Sequence, residues 1–369
     1  MADMNITPAR PGLTPTIWSS DFYTEYLREN QFSPYFGNTM DAMIQLRTDL
    51  QSKNGDSVVF ASVRNLVGAG VTGNTILEGN EEVLNARSLK VPVGVIRHGV
   101  AVSDWDAQKS IIDLLQAARP ALKNWASNKL RADIIVSLGA ITADGDVQIS
   151  YGSASAAQRN TWLVNNSDRV LFGASKSNNT GVYATSLTNI DNTADKMTAA
   201  QITLAKRLAR TANPKIRPIR VSGDEEWFVM FVPSLVFRDL MLDPTIVNAL
   251  QYAWNRGADN PLFTAGDIIY DGIIIREIPE LPTVPDVGAG GTVDAGASYL
   301  CGAQAIGIAW AQRTTAISND RDYNFMRGVG VMEIRGVAKM RFGVDPTVDQ
   351  TKPVDAGVFT IWSAAEPDA

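Results

Sequence analysis

The period of the hydrophobic positions changes several times along the chain, and each change marks a different kind of element. Ser57–Val67 and Ser88–Val102 are β-branched, partly alternating runs that predict two strands. Between them Gly68–Ala86 is glycine-rich with no strong period, and a loop of that length is normally functional or mobile. The pattern then becomes helical. Ser103 and Asp106 stand in the Ser-x-x-acid spacing of a capping box. Behind them Ile111, Leu115, Ala118, Leu122 and Trp125 recur at spacings of 4, 3, 4 and 3, and Leu130, Ile134 and Leu138 continue the stripe to a terminating Gly139. Unbroken, such a helix is a rod about 50 Å long. Pro120 should bend it, and the one-sided stripe predicts that it lies on a sheet.

The rest is less regular. Residues 1–38 read as an arm with prolines, the aromatics Trp18, Phe22, Tyr23 and Tyr26, and a short helix over Ser20–Asn30; a second short helix is predicted over Thr39–Leu50. Residues 140–195, rich in Ser, Asn, Thr and Gly, predict irregular structure. Met197–Arg210 is a clear helix, with Lys206, Arg207 and Arg210 near the end where cations suit the helix dipole. Strands follow at Ile216–Val221 and Glu226–Val232, helices at Leu235–Leu242 and Ile246–Asn255, and strands at Asp267–Tyr270 and Gly272–Ile278. After a Pro/Gly-rich stretch over 279–298, strands return at Tyr299–Gln312, Gly328–Phe342 and Gly357–Trp362. The longest uncharged stretch, Ala295–Gln312, is 18 residues and contains three glycines. It falls short of the ~20 apolar residues of a spanning helix and reads as a buried strand pair.

Composition narrows the chemistry. The 369 residues are 45% hydrophobic and 20% charged, ordinary globular values that predict two or three compact units. Cys301 is the only cysteine and His98 the only histidine. An internal disulfide framework is therefore excluded, as is a His/Cys zinc site, and any Ser-His-Asp arrangement must use His98. The net charge of −6 lacks the basic footprint of a sequence-reading nucleic-acid binder. The polar, proline-bearing N-terminus has no apolar signal-peptide core, so a soluble protein is expected, with no membrane partner.

The candidate motifs mostly reduce to structure. Gly68-Ala69-Gly70-Val71-Thr72-Gly73 matches G-x-G-x-x-G, but Asn74-Thr75 stands where a phosphate-binding loop needs Lys-Ser/Thr, and Gly79 and Asn80 interrupt the helix a dinucleotide site requires. A flexible glycine loop is the preferred reading; a nucleotide-binding enzyme using Gly68–Gly73 is the alternative from another class. His98 has no orienting carboxylate or nucleophile at a recognisable spacing. The acid pairs Asp104/Asp106, Asp144/Asp146 and Asp320/Asp322 fit capping and turns better than a calcium loop. Lys206, Arg207, Arg210, Lys215, Arg217 and Arg220 form a local cation cluster read as a solvated helix end running into a surface strand. No cofactor, metal or catalytic residue is expected. A chain with a long paired loop, an aromatic arm and a rod has the parts of something that binds copies of itself.

Several segments carry a resemblance. Pro214–Val232 (PKIRPIRVSGDEEWFVMFV), then Pro233-Ser234 and Arg238-Asp239-Leu240, resemble major capsid proteins of tailed bacteriophages of the podovirus-type group. So do Asn260–Thr264 running into Tyr270–Ile273, His98-Gly99 ahead of Ala117–Leu122, and Arg327–Val331. The resemblance spans about residues 55–345 and implies an α+β, Hong-Kong-97-like capsid fold. Its parts are an N-terminal arm and short helix (1–53), an extended two-stranded loop (54–103), a peripheral domain on a spine helix (104–213), an axial domain (214–325), and return strands with a C-terminal tail (326–369). It implies self-assembly into hexamers and pentamers of an icosahedral shell around double-stranded DNA packed without sequence reading. Scaffolding, portal and decoration proteins are possible partners, and assembly is expected in the host cytoplasm. Intersubunit contact is expected at Gly68, Gly70, Gly73, Glu78, Glu81 and Glu82 of the loop and at Trp18 and Tyr23 of the arm. An encapsulin-like compartment shell is the alternative within the fold.

Overall fold

A computed structural model defines residues 30–51, 55–63, 70–74, 76–81, 86–110, 114–142, 147–221, 225–254, 268–322, 325–343 and 353–368. Two sheets organise them. The first has five strands in the order Phe36–Gly37, Ile44–Arg47, Ile306–Arg321, Met326–Lys339 and Gly94–Ser103. Its centre is a long antiparallel ribbon in which Ile306 pairs with Lys339 and Arg321 with Met326. Along one face runs the helix Leu114–Leu138, with Ala118, Leu122, Ala126, Leu130, Ile134 and Leu138 buried. From Ala118 to Leu138 the stripe read from the sequence is thus the packed face, with Trp125 partly buried; Ile111 and the side chain of Leu115 lie outside the described residues.

The second sheet has eight strands. Its main path runs Ile268–Tyr270, Ile273–Glu277, Glu225–Val232, Ala295–Cys301, Val358–Ala364 and Val170–Phe172, with Ile219–Val221 and Thr283–Val284 off that path. Both faces are covered. Alternation along Glu225–Val232 sends Val229 and Phe231 into the core shared with the long helix. Phe228, Met230 and Val232 enter a second core with the helices Ala199–Thr211 and Ser234–Met241. Ala295–Cys301 and Val358–Ala364 are buried at every position, which explains why they read as unbroken apolar runs.

Several expectations are corrected. Residues 39–50 form no helix: Ile44–Arg47 is a strand lying parallel to Ile306–Ala309, and a short 3-10 turn covers Asp49–Gln51. Sheet pairing to a partner some 260 positions away overrides a weak local helical pattern. The run Ser88–Val102 is two strands, Ala86–Pro92 and Gly94–Ser103, which part at Val93 and join different sheets. The first pairs with Ser57–Val63 in a hairpin; the second, carrying His98, pairs with the ribbon. The rod is also divided. Asp104–Lys109 is a separate helix, and Ser110 turns extended at φ −85°, ψ 133°; the described long helix, Leu114–Leu138, spans about 37 Å.

Residues 140–195 are not wholly irregular, since they hold the helices Ala156–Asn165 and Tyr183–Thr188. Ser155 and Gln158 form a capping box on the first of them. The stretch Tyr299–Gln312 breaks at 302–305, and its two halves pair with different neighbours instead of with each other. The strand Gly328–Phe342 likewise divides at Met340. The expected helix over Ser20–Asn30 lies outside the described residues, except for Asn30.

Candidate functional site

Among the described residues the hairpin is fastened at its base. Val58, Phe60, Leu89 and Val91 are buried with Ala309, Ala338 and Met340 of the ribbon, and the Val93 amide donates to the Asp56 carbonyl at 3.0 Å. Beyond the paired strands, Gly70, Gly73, Glu78 and Glu81 are all exposed. Space around Gly70, Gly73 and Gly79 is open to at least 4 Å where a Cβ would sit, and each has a positive φ. Gly68, Glu82, Trp18 and Tyr23 lie outside the described residues.

The tip keeps a local shape of its own. Asn80 donates its amide to Leu77 at 2.9 Å, and the Glu81 carboxylate accepts from the Gly79 amide at 2.7 Å. This turn presents Ile76 and Leu77 to solvent at 72% and 60% exposure. The sequence reading passed over these two residues; an Ile-Leu pair inside a Gly/Asn-rich polar loop is the signal that marks them.

The remaining candidates are structural. His98 stacks on Trp125 of the long helix, with ring centroids 4.5 Å apart. The Ser103 hydroxyl accepts from the Asp106 amide at 3.1 Å and donates to its carboxylate at 2.6 Å, so Ser103 is the N-cap as read, but the Asp106 carboxylate takes the hydroxyl and not the Ser103 backbone amide that a full capping box requires. Asp322 sits at the ribbon turn with φ 51°, while Asp144 and Asp146 lie outside the described residues. The cation cluster is partly consumed: Lys206 pairs with Asp271, Arg210 with Glu226, and the Arg217 guanidinium donates to Gln304. Among the described residues no group of three His, Cys, Asp or Glu is placed to hold a metal ion, and no helix is long and apolar enough to cross a membrane.

Cys301 is fully buried, and burial pushes its thiol well above the usual range although the Lys339 charge opposes this. A thiol held protonated inside the core is inert to disulfide exchange. The same interior contains a polar hub that the sequence reading missed. Lys339 and Asp355 form an ion pair, the Trp162 indole N–H donates to the same carboxylate at 3.2 Å, and the Asn166 side-chain oxygen accepts the Asp355 amide at 2.8 Å. Arg169 donates to the Asp355 carbonyl and to the Pro214 carbonyl. The hub ties the end of the ribbon to the helix Ala156–Asn165 and to the edge of the eight-stranded sheet. It braces the elements that carry the exposed surfaces.

What the architecture offers is therefore surface: a projecting hairpin, a long ribbon backed by one helix, and a rigid two-faced sheet. Comparison with known proteins agrees. A phage capsid protein family matches residues 7–367. The chain is 27% identical over 366 residues to the major capsid protein of Pseudomonas phage KPP25, covering 95% of each. Among solved structures, the capsid of cyanophage Pam1 superposes with a TM-score of 0.81 at 36% identity, covering 99% of this chain and 100% of that one. The capsid of Ralstonia phage GP4 shares the fold at a TM-score of 0.73 and 23% identity over 92% of each chain. The α+β architecture is that of the Hong-Kong-97-like capsids. Neither the encapsulin-like compartment nor the nucleotide-binding enzyme gains support from these likenesses. The chain belongs to the phage capsid protein family and is a major capsid protein, a structural subunit of the virion shell.

Proposed function

We propose that this subunit tiles a closed icosahedral shell as pentamers and hexamers, encloses double-stranded DNA without reading its sequence, and does no catalysis. In this reading residues 54–103 are the extended loop, and Gly68, Gly70, Gly73, Glu78, Glu81 and Glu82 contact a neighbouring subunit. Trp18 and Tyr23 of the arm do the same. The peripheral part follows residues 104–213 with the return strands of 326–369, and the axial part follows 214–325. The strand Val358–Ala364 of the peripheral part hydrogen-bonds Ala295–Cys301 of the axial part, within the eight-stranded sheet. Many repeated weak contacts between identical subunits close a shell and hold it through multivalency. Assembly takes place in the host cytoplasm, with scaffolding, portal and decoration proteins as partners.

The observation that carries this reading is the hairpin itself: a base bound into its own core, and a tip whose apolar side chains Ile76 and Leu77 are mostly exposed in the isolated chain. Expression of the full chain, alone or with a scaffolding protein, should give closed particles by electron microscopy. Deletion of residues 68–86 should leave a soluble, folded subunit that no longer closes shells. Particles of normal size from the deletion variant would show that the loop is no intersubunit clamp.

A further inference from the structure

We propose that the fold holds one ordered water as a fixed part of its interior, bound where the end of the long helix, the end of the ribbon and the eight-stranded sheet meet.

The site follows from strand register. Tyr299 lies opposite Thr360, and Ala297 lies opposite Trp362. Residues directly opposite one another share a face, and faces alternate along a strand. Tyr299, Thr360 and Trp362 therefore leave the same side of the sheet. The C-terminal end of the long helix, at Leu138 and Gly139, meets that side, and Lys339 closes the ribbon beside it. Between them remains a cavity of about 10 Å³. Its walls belong to the interior: Leu138, Tyr183, Tyr299, Lys339 and Trp362 are each no more than 3% exposed. A single water needs roughly this much room, ~10–15 Å³.

The polarity of the walls decides the occupant. The Trp362 indole N–H is buried and meets no acceptor among the described residues; a buried donor without a partner carries its whole desolvation cost. The Lys339 ammonium has three N–H groups and gives one to Asp355 at 3.0 Å. The hydroxyl-bearing side chains of Tyr299 and Thr360 line the same space. A water here accepts from the indole and the ammonium and donates to the two hydroxyl oxygens, within the two to four bonds that buried waters make. A metal cation is refused by the Lys339 charge and by an indole that offers no lone pair, and nothing larger than a water fits.

Gly139 keeps the space open. It is not among the residues with positive φ, so its backbone would accept an alanine. A Cβ there would nevertheless stand 2.9 Å from the Tyr299 hydroxyl oxygen. Room for the phenol and the cavity, and not backbone conformation, is what requires glycine at the end of this helix.

A map of the full chain, in particles or crystals, at a resolution that shows ordered solvent is the direct test. A peak should stand within about 3.2 Å of Trp362 Nε1 and equally close to a second polar atom of the wall. Trp362→Phe and Tyr299→Phe should each abolish or weaken that peak and lower the calorimetric melting temperature by about 2–4 °C. The double variant W362F/Y299F should fall little further than either single one, because both changes release the same water. Gly139→Ala should displace the peak and leave the helix in place. A map that shows other buried waters but no peak here would overturn the proposal. The Tyr151 ring, its centroid 5.6 Å from that of Trp362, would then be the partner of the indole N–H. Melting shifts that simply add would overturn it as well. Should the variants fail to fold, the map of the unmodified chain decides alone.

Discussion

Lys339 and Asp355 face each other at 3.0 Å with their side chains 1% and 2% exposed. The pair joins the last residue of the long ribbon to the first strand after residue 352, and Trp162 lays its ring within 5.4 Å of the ammonium while donating its N–H to the carboxylate. Two charges withdrawn from water this fully hold together only because each satisfies the other, with hydrogen bonds to the remaining oxygens.

Removing one partner is therefore expected to cost more than removing both. Lys339→Met should destabilise the subunit by about 3–5 kcal/mol, whereas K339M with Asp355→Leu should recover most of that loss. Urea unfolding of the purified subunit, followed by tryptophan fluorescence, measures the cycle. A double variant as unstable as the single one would mean that the hydrogen bonds around Asp355 matter more than the charge pair.

The long helix gives a simpler expectation. Leu122 and Leu130 are buried on its packed face, so Leu→Ala at either should cost about 2–5 kcal/mol and reduce soluble yield. Asn124→Ala, at an exposed position of the same helix, should change stability by less than about 0.5 kcal/mol. Equal effects at buried and exposed positions would show the packing face to be wrongly assigned.

Acid stability should depend on Asp168. Partial burial raises its carboxyl pKa, but hydrogen bonding and charge from Arg169, with the Asn213 amide donating at 2.8 Å, outweigh burial and hold it below the usual value. A depressed folded-state pKa contributes stability above the unfolded value of about 3.9 and loses it as pH falls through the folded value. Asp168→Asn should accordingly flatten the decline of thermal stability below about pH 4 and lower stability near neutrality. The carboxylate is about one third exposed, so solvent screening keeps the effect modest. Parallel melting curves of the two proteins from about pH 2 to pH 7 read it directly.

The shell should be held without covalent links. No lysine occurs between Asn54 and Leu89, so the hairpin tip has no amine to form an isopeptide bond, and the one cysteine is buried. Particles boiled in denaturing detergent without reductant should run as one band near 39.9 kDa. A ladder of pentamers and hexamers would point to Lys53 or Lys90 at the base of the loop.

Local chemistry alone determined the elements whose signals lie within a few residues. The helix Ala199–Thr211, the Ser103 N-cap, the apolar stripe from Ala118 to Leu138 and the strand Glu225–Val232 were legible because period and caps act over one or two turns. Tertiary structure decided whatever depends on a distant partner. Ile44–Arg47 is a strand because Ile306–Ala309 offers it an edge, and Ser88–Val102 divides at Val93 because its halves serve two sheets. The Lys339–Asp355 pair was invisible because nothing in a lysine or an aspartate announces burial. The pairing of Gly94–Ser103 with the ribbon was equally hidden. Gly99 and Gly330 are 231 positions apart in the sequence, and only strand register sets them side by side.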